Sequence, residues 1–183
     1  GSTHPGEEEV VLEAFASVRR MIPQSRLVIA PRHPERASDV LSLAMQKEEA
    51  CLLSKWAPGW NILVVDRIGI LFDLYGRSDA AFVGGSLVPR GGQNILEPLS
   101  WGVPVAHGPH MEDFQDLEGL ASKAGLTRRV EGSASLASAC SDAVGRQFEQ
   151  GFFLKRCESF LAGIGGASGK TWEMIASDNK KLL

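Results

Sequence analysis

Apolar residues along the chain follow two alternating patterns, a helical spacing and short uninterrupted runs. The first helix is predicted over residues 6–22, where apolar side chains recur about every 3.6 residues, at Val10, Val11, Ala14, Val18 and Met21. A short apolar run follows at 26–30, and such a run is typical of a strand that is buried on both faces of a sheet. The opening of the chain therefore predicts a helix followed by a buried strand.

The same two patterns continue to the end of the chain. Further helices are predicted at 35–49, 69–76, 94–101, 113–124, 134–146, 148–162 and 168–180. Further strands are predicted at 51–54, 61–65, 80–84, 103–106 and 127–130. Helices and strands that alternate in this way predict an α/β fold, with a Rossmann-like parallel sheet covered by helices on both faces.

Composition and charge exclude several classes of protein. The 183 residues carry a net charge of −3 and are 44% apolar, which suits a globular core and argues against a nucleic-acid partner. The three cysteines, Cys51, Cys140 and Cys157, show no Cys-x-x-Cys spacing, so neither a disulfide framework nor a zinc site is expected. The sequence has no apolar run of about 18 residues, the length that predicts a membrane-spanning helix.

Ligands of parallel α/β sheets bind at the carboxyl ends of the strands, so the loops that follow strands are the candidate site. The longest of these loops carries two glycine pairs, which let backbone approach a ligand, and leads into a helix start suited to phosphate. Its candidate residues are Gly84, Gly85, Ser86, Gly91, Gly92, Gln93, Asn94 and Glu97. An alternative is a plain surface loop in which Asn94 and Glu97 form a capping box.

A second candidate loop, 31–36, directly follows a buried strand. Arg32 is able to grip a phosphate or carboxylate through two parallel N–H bonds. His33 offers ring nitrogens to a ribose or phosphate, and Arg36 adds a second guanidinium group. The alternative interpretation is that both arginines are solvated charges and His33 is a turn residue.

Two weaker candidates lie near other strand ends. Ser2, Thr3 and His4 precede the first helix, where Ser2 or Thr3 could equally serve as its cap. His110 lies three residues after His107, but the sequence places no further ligand at suitable spacing before Glu112, so no metal is predicted. Residues 168–171 have the sequence that ends a phosphate-binding P-loop. The first glycine of that motif would fall at residue 164, which is isoleucine, so a helix–helix turn is predicted there instead.

Taken in chain order, these motifs resemble those of the Kdo transferases, which transfer 3-deoxy-D-manno-octulosonic acid (Kdo) from CMP-Kdo to a lipid A precursor. The resemblance covers nearly the whole chain, through Ser2-Thr3-His4, Gly6-Glu7-Glu8, Pro31-Arg32-His33-Pro34-Glu35-Arg36, Phe82-Val83-Gly84-Gly85-Ser86-Leu87, Gly91-Gly92-Gln93-Asn94, Leu96-Glu97-Pro98, Gly102-Val103-Pro104-Val105 and Gly108-Pro109-His110. Gln93 departs from the family pattern, in which many members have histidine.

The resemblance implies that residues 1–183 are the C-terminal, CMP-Kdo-binding half of a GT-B glycosyltransferase. The family's acceptor domain, general base and membrane anchor belong to an N-terminal domain that this chain lacks, so no catalytic residue is expected here and the isolated domain is expected to be inactive. The family acts in lipopolysaccharide biosynthesis at the cytoplasmic face of the bacterial inner membrane, without a cofactor or metal. The alternative is the donor domain of another GT-B enzyme, a UDP-sugar transferase or a UDP-sugar 2-epimerase.

The resemblance also implies roles for individual residues. Arg32 is expected to be the main cationic contact to the donor, supported by His33 and Arg36. Glu97 is expected to accept hydrogen bonds from the ribose hydroxyls of CMP. The N–H groups around Ser86 and Gly92–Asn94 are expected to bind the phosphate.

Overall fold

The computed structural model describes residues 1–145 and 150–164, most of which lie in alternating helices and strands. The helices are α1 (Glu7–Met21), α2 (Ala37–Met45), α3 (Leu71–Tyr75), α4 (Leu96–Ser100), α5 (Gln115–Lys123), α6 (Ser133–Gly145) and α7 (Gln150–Ile164). The strands are β1 (Leu27–Ile29), β2 (Ala50–Leu52), β3 (Ile62–Val64), β4 (Ala81–Val83), β5 (Val105–His107) and β6 (Thr127–Arg129). Single 3₁₀ turns lie at Pro34–Arg36, Leu53–Lys55 and Glu112–Phe114.

The predicted order of helices and strands is confirmed over this length, and the boundaries differ by a few residues. The helix predicted at 35–49 ends at Met45, where the backbone tightens: the N–H groups of Gln46 and Lys47 donate to carbonyls three residues earlier, those of Leu43 and Ala44. The strand predicted at 51–54 is the shorter β2, since a 3₁₀ turn begins at Leu53. The helix predicted at 168–180 and the turn at 168–171 lie outside the described residues.

All strand pairs are parallel, as predicted, but the six strands form two sheets of three. The first sheet has the order β1-β3-β2 and the second has the order β4-β5-β6. Residues 1–3 lie between them: Thr3 forms a parallel bridge with Pro31, next to β1, and the amino group of Gly1 donates to the carbonyl of Phe82 in β4 at 2.6 Å. Three residues are too few to pair along the whole length of both neighbours, so the sheet is interrupted there.

Helices cover the strands on both faces, which buries the apolar runs. Helix α1 packs against α6 and α2 and buries the face that carries Val11, Leu12, Ala14, Phe15 and Val18. A cleft of about 560 Å³ remains between the two sheets, lined by residues of β1, β4, α1 and α3. No helix within residues 1–145 and 150–164 has the length and apolar character needed to cross a membrane.

The three cysteines differ in how deeply they are buried. Cys157 is fully buried in the apolar cluster beneath α4 and α5, as a small apolar residue would be. Cys51 and Cys140 are only partly buried, and all three are free thiols. Burial raises the pKa of Cys140 to about 11, so this thiol is held in its unreactive protonated form.

Candidate functional site

Two of the predicted loops are joined by Thr3 at the carboxyl end of β1. The N–H of Thr3 donates to the carbonyl of Ala30 at 3.2 Å, and its own carbonyl accepts from the N–H of Arg32 at 2.9 Å. This pairing places His4 beside His33, with ring centroids 6.0 Å apart and planes nearly perpendicular. The structure therefore brings the first residues of the chain into the same site as the 31–36 loop.

The loop after β4 enters the site through a close backbone approach. The N–H of Gly84 donates to the carbonyl of Gly1 at 2.8 Å. A Cβ atom on Gly84 would collide with the backbone of Ser2, so only glycine fits against this segment. The backbone of Ser2, rather than its side chain, is thus the part that shapes the site.

Gly85 lies at the centre of the site in a left-handed conformation, with φ of 66°. A Cβ at this position would lie within 3.4–3.6 Å of His4, Arg90 and Gln93, so these three side chains surround it. The N–H of Gly92 donates to the carbonyl of Gly85 at 2.9 Å and closes the loop on itself. The loop therefore presents Arg90 and Gln93 next to His4.

The turn that follows Gly85 is stabilised by the side chain of Glu7, the first residue of α1. The Glu7 carboxylate is fully buried and accepts hydrogen bonds from the N–H groups of Gly85, Ser86 and Leu87 at 2.8, 3.0 and 2.9 Å. It also accepts the N–H of His4 at 2.9 Å. A buried carboxylate is costly unless it is hydrogen-bonded, and four N–H donors meet that requirement here.

Ser86, whose N–H group was predicted to bind the phosphate, lies in the interior of the protein. The residue is fully buried; its hydroxyl donates to the carbonyl of Val83 at 2.5 Å and accepts the N–H of Gly108 at 2.8 Å. Its carbonyl accepts the N–H of His110 at 2.9 Å, and its N–H is taken by Glu7. The polar groups of Ser86 are therefore all bound within the protein, and these bonds fix the conformation of the loop.

The start of α4, the other part of the predicted phosphate site, is stabilised by a side chain. The helix has only five residues, and the side-chain oxygen of Asn94 accepts the N–H of Leu96 at 3.0 Å, as a capping residue does. Burial raises the pKa of Glu97, while a hydrogen bond with Asn94 and the positive charges of the Gly1 amino group and Arg32 act in the opposite direction. Asn94 thus supports the helix start, and Glu97 shares the site with Arg32.

The two arginines of the 31–36 loop have different environments. Arg32 and His33 are exposed, and within the described residues Arg32 forms no ion pair. His33 lies 3.7 Å from the carboxylate of Glu35. Arg36 instead donates to both oxygens of the buried Glu8, at 2.8 and 3.3 Å. Two N–H groups of Arg36 are therefore bound within the protein, whereas its predicted contact with the donor stays a prediction.

His110 lies at the edge of the site rather than at its centre. Its ring nitrogen Nδ1 lies 3.1 Å from the carboxylate of Glu112. The side chain of His107, three residues earlier, is buried in the interior, between the carbonyl of Gly108 and the carboxylate of Glu118. Over residues 1–145 and 150–164 no three side chains are arranged to hold a metal ion.

The assembled site combines the guanidinium groups of Arg32 and Arg90 with the imidazole rings of His4 and His33. These side chains lie around Gly85 and the end of β1, and the Glu97 carboxylate shares the site with them. Burial lowers the pKa of His4, the Glu7 carboxylate opposes this change, and Arg90, His33 and Arg36 reinforce it. Such a surface is suited to a ligand that carries both anionic groups and hydroxyl groups.

Two proteins that are similar to this chain in sequence carry the same name. The chain is 31% identical over 174 residues to the 3-deoxy-D-manno-octulosonic acid transferase of Aquifex aeolicus, covering 90% of this chain and 49% of that protein. It is 31% identical over 185 residues to the enzyme of the same name from Chlamydia trachomatis serovar A, covering 97% of this chain and 41% of that protein. No family model matches the chain.

A solved structure matches in the same way. The C-terminal CMP-Kdo binding domain of WaaA from Acinetobacter baumannii aligns with a TM-score of 0.80 and 26% identity, covering 87% of this chain and 86% of that domain. The chain belongs to the Kdo transferase family. It spans about half the length of the Aquifex relative and 41% of the Chlamydia relative, and it corresponds to the C-terminal domain.

A second solved structure shows how widely this Kdo transferase domain shares its fold. An O-GlcNAc transferase from Thermobaculum terrenum aligns with a TM-score of 0.58 over 93% of this chain and 32% of that protein. At 16% identity the likeness concerns the fold alone. The α/β prediction with a GT-B architecture is therefore confirmed.

Two residues of this Kdo transferase domain were not predicted as part of the site. Glu7 was named within the Gly6-Glu7-Glu8 motif, which was a signal, but no role in the site was predicted for it. Arg90 lies between the two glycine pairs of the predicted loop and was passed over in favour of its neighbours. Its position beside Gly85 and His4 follows from how the loop closes, which spacing does not reveal.

Proposed function

We propose that this chain is the donor-binding domain of a Kdo transferase and that it holds CMP-Kdo. The observation that carries the proposal is the cluster of His4, His33, Arg32 and Arg90 at the carboxyl edge of the strands. CMP-Kdo has two anionic groups, a phosphate and the carboxylate of the sugar, and guanidinium groups bind both kinds of anion. The solved relative with 26% identity is itself described as a CMP-Kdo binding domain, which supports the same ligand here.

Arg32 and Glu97 are given complementary roles in this proposal. Arg32 is exposed directly after β1, and its guanidinium group is available to the phosphate or to the Kdo carboxylate. Glu97 lies within range of the charge of Arg32 and is half buried, which suits a carboxylate that accepts hydrogen bonds from ribose hydroxyls. His33, beside His4, and Gln93, beside Gly85, add polar contacts to the donor in this proposal.

In the complete enzyme, residues 1–183 form the C-terminal domain and a further domain binds the lipid A precursor. The reaction then requires both domains, because the donor is held on one side of a cleft and the acceptor on the other. We place the general base and the membrane attachment in that acceptor domain, and the enzyme at the cytoplasmic face of the inner membrane in lipopolysaccharide biosynthesis. The greater length of the relatives leaves room for such a domain.

Titration of the domain with CMP-Kdo, CMP and cytidine tests the proposal. If the cationic cluster binds the donor, CMP binds at least about tenfold more tightly than cytidine, since the phosphate adds charge-assisted hydrogen bonds. CMP-Kdo binds at least as tightly as CMP because of its additional carboxylate. Equal affinity for CMP and cytidine, or no binding of any of the three, would refute the assignment.

A further inference from the structure

The buried carboxylate of Glu7 occupies a position in which an outside anion would otherwise be expected. The N–H groups of three successive residues, Gly85, Ser86 and Leu87, all point at one place. A concave row of backbone N–H groups is a common binding site for phosphate and other anions. Here the anion is supplied by the protein, because the Glu7 carboxylate fills the row and is 0% exposed.

The two oxygens of this carboxylate bind different parts of the site. One oxygen, Oε1, accepts the N–H groups of Ser86 and Leu87 at 3.0 and 2.9 Å. The other, Oε2, accepts the N–H of Gly85 at 2.8 Å and also that of His4 at 2.9 Å. A single atom therefore links the segment that carries His4 to the loop after β4, and it sets the distance between them.

The outer face of the same turn carries the groups that would meet the donor. His4, Arg90 and Gln93 surround Gly85 on that face, and the bond from Gly92 to Gly85 closes the loop around them. The positions of these side chains therefore depend on the turn that Glu7 holds. A site that is fixed before the ligand arrives loses less conformational entropy on binding.

We propose that Glu7 is a positioning residue of the donor site, filling the backbone anion site so that the phosphate is bound by side chains on the outer face of the loop. His4 and Arg90 are the side chains that this arrangement presents for the phosphate. The inference rests on the proposed function, because it assumes that CMP-Kdo is the ligand. It assigns to Glu7 no contact with the donor.

The chemistry of the side chain explains why a carboxylate is needed. A carboxylate is only an acceptor, so both of its oxygens can receive two N–H groups each. Glutamine has one acceptor oxygen and one NH₂ group, and in either orientation the NH₂ group would face two N–H donors. Aspartate keeps the charge, but its chain is one carbon shorter and does not reach all four donors from the same backbone position.

The test compares Glu7→Gln and Glu7→Asp with Glu9→Gln, a matched control in the same helical turn whose side chain is exposed. CMP affinity, amide hydrogen exchange and the NMR titration of His4 are measured at a temperature at which each variant is folded. In Glu7→Gln, CMP affinity is expected to fall at least about tenfold, and exchange at Gly85, Ser86 and Leu87 to accelerate. Glu7→Asp is expected to lie between Glu7→Gln and the wild type, and Glu9→Gln to match the wild type.

The His4 titration separates positioning from a general loss of stability. The Glu7 carboxylate counteracts the lowering of the His4 pKa by burial and by Arg90, His33 and Arg36. Removing that charge is therefore expected to move the His4 titration to lower pH. If Glu7→Gln does not fold, Glu7→Asp carries the test through CMP affinity and amide exchange at residues 85–87, because aspartate keeps the charge that acts on His4.

The outcomes distinguish this inference from the proposed function. Faster exchange in the 85–87 turn, a shifted His4 titration and weaker CMP binding in the Glu7 variants would support it. Unchanged exchange and an unchanged His4 titration in Glu7→Gln would overturn it, whatever the CMP affinity, as would wild-type CMP affinity in that variant. Failure of the wild-type domain to bind CMP would refute the proposed function, and the claim that Glu7 serves a donor site would fall with it.

Discussion

The guanidinium group of Arg36 donates to both oxygens of the Glu8 carboxylate, whose side chain is completely buried, at 2.8 and 3.3 Å. This pair joins the 31–36 loop to the first turn of α1, 28 residues earlier in the chain. Arg32, in the same loop, is exposed. One arginine of the loop therefore stabilises the fold, and the other is available to a ligand.

Substitution of Arg36 is expected to destabilise the domain. Arg36→Ala leaves the Glu8 carboxylate buried without its partner, which costs about 3 kcal/mol in the free energy of unfolding, at the low end for a buried pair because Arg36 is partly exposed. Urea denaturation measures this loss. Arg77→Ala, at an exposed arginine, serves as the control and changes the free energy by less than about 0.5 kcal/mol. A stable Arg36→Ala variant would show that the pair with Glu8 is unimportant.

Substitution of Arg32, unlike that of Arg36, is expected to weaken ligand binding and to leave stability almost unchanged. Arg32→Ala weakens CMP binding at least about tenfold, because a charge-assisted contact is lost, and leaves the free energy of unfolding within about 0.5 kcal/mol of the wild type. Arg32→Lys keeps the charge but loses the two-pronged geometry, so its affinity is intermediate. Calorimetric titration of CMP into each variant measures the effect. Unchanged CMP affinity in Arg32→Ala, together with wild-type activity in the complete enzyme, would refute the role of Arg32.

Glu97→Gln separates two roles for the same carboxylate. As a ribose ligand, Glu97 contributes a charge-assisted hydrogen bond, so the variant loses about 1.5–3 kcal/mol of CMP binding free energy. As a partner of Asn94 at the start of α4, it would instead contribute to the free energy of unfolding. Both quantities are measured on the same variant, and a change in stability with unaltered affinity would leave Glu97 with only the second role.

The periodicity of apolar residues was sufficient to predict most of the fold. α1 and β1 follow directly from a 3.6-residue spacing and a short apolar run, because those patterns report which side of each element is buried. The location of the site followed from the rule that ligands of parallel sheets bind at the carboxyl ends of strands. Arg32, His33 and Gly85 were identified in this way and lie together in the structure.

The parts that the sequence did not predict depend on contacts between distant residues. Glu7 meets the Gly85–Leu87 turn across about 80 positions of sequence, and no local spacing indicates such a pair. Arg36 was interpreted as a ligand because it lies in the loop after a buried strand, and its pairing with Glu8, 28 residues earlier, is not indicated by any local spacing. The division into two sheets likewise depends on residues 1–3, which pair too briefly with their neighbours to form a strand.

Thermal unfolding of the wild-type domain in the presence of CMP and, separately, of UDP tests the central claim most directly. A ligand that binds only the folded state raises the melting temperature, and the rise grows with the logarithm of the ligand concentration divided by its Kd. The account predicts a dose-dependent rise with CMP and a clearly smaller one with UDP at equal concentration. A larger rise with UDP, or no rise with CMP, would contradict the assignment of this chain as a CMP-Kdo-binding domain.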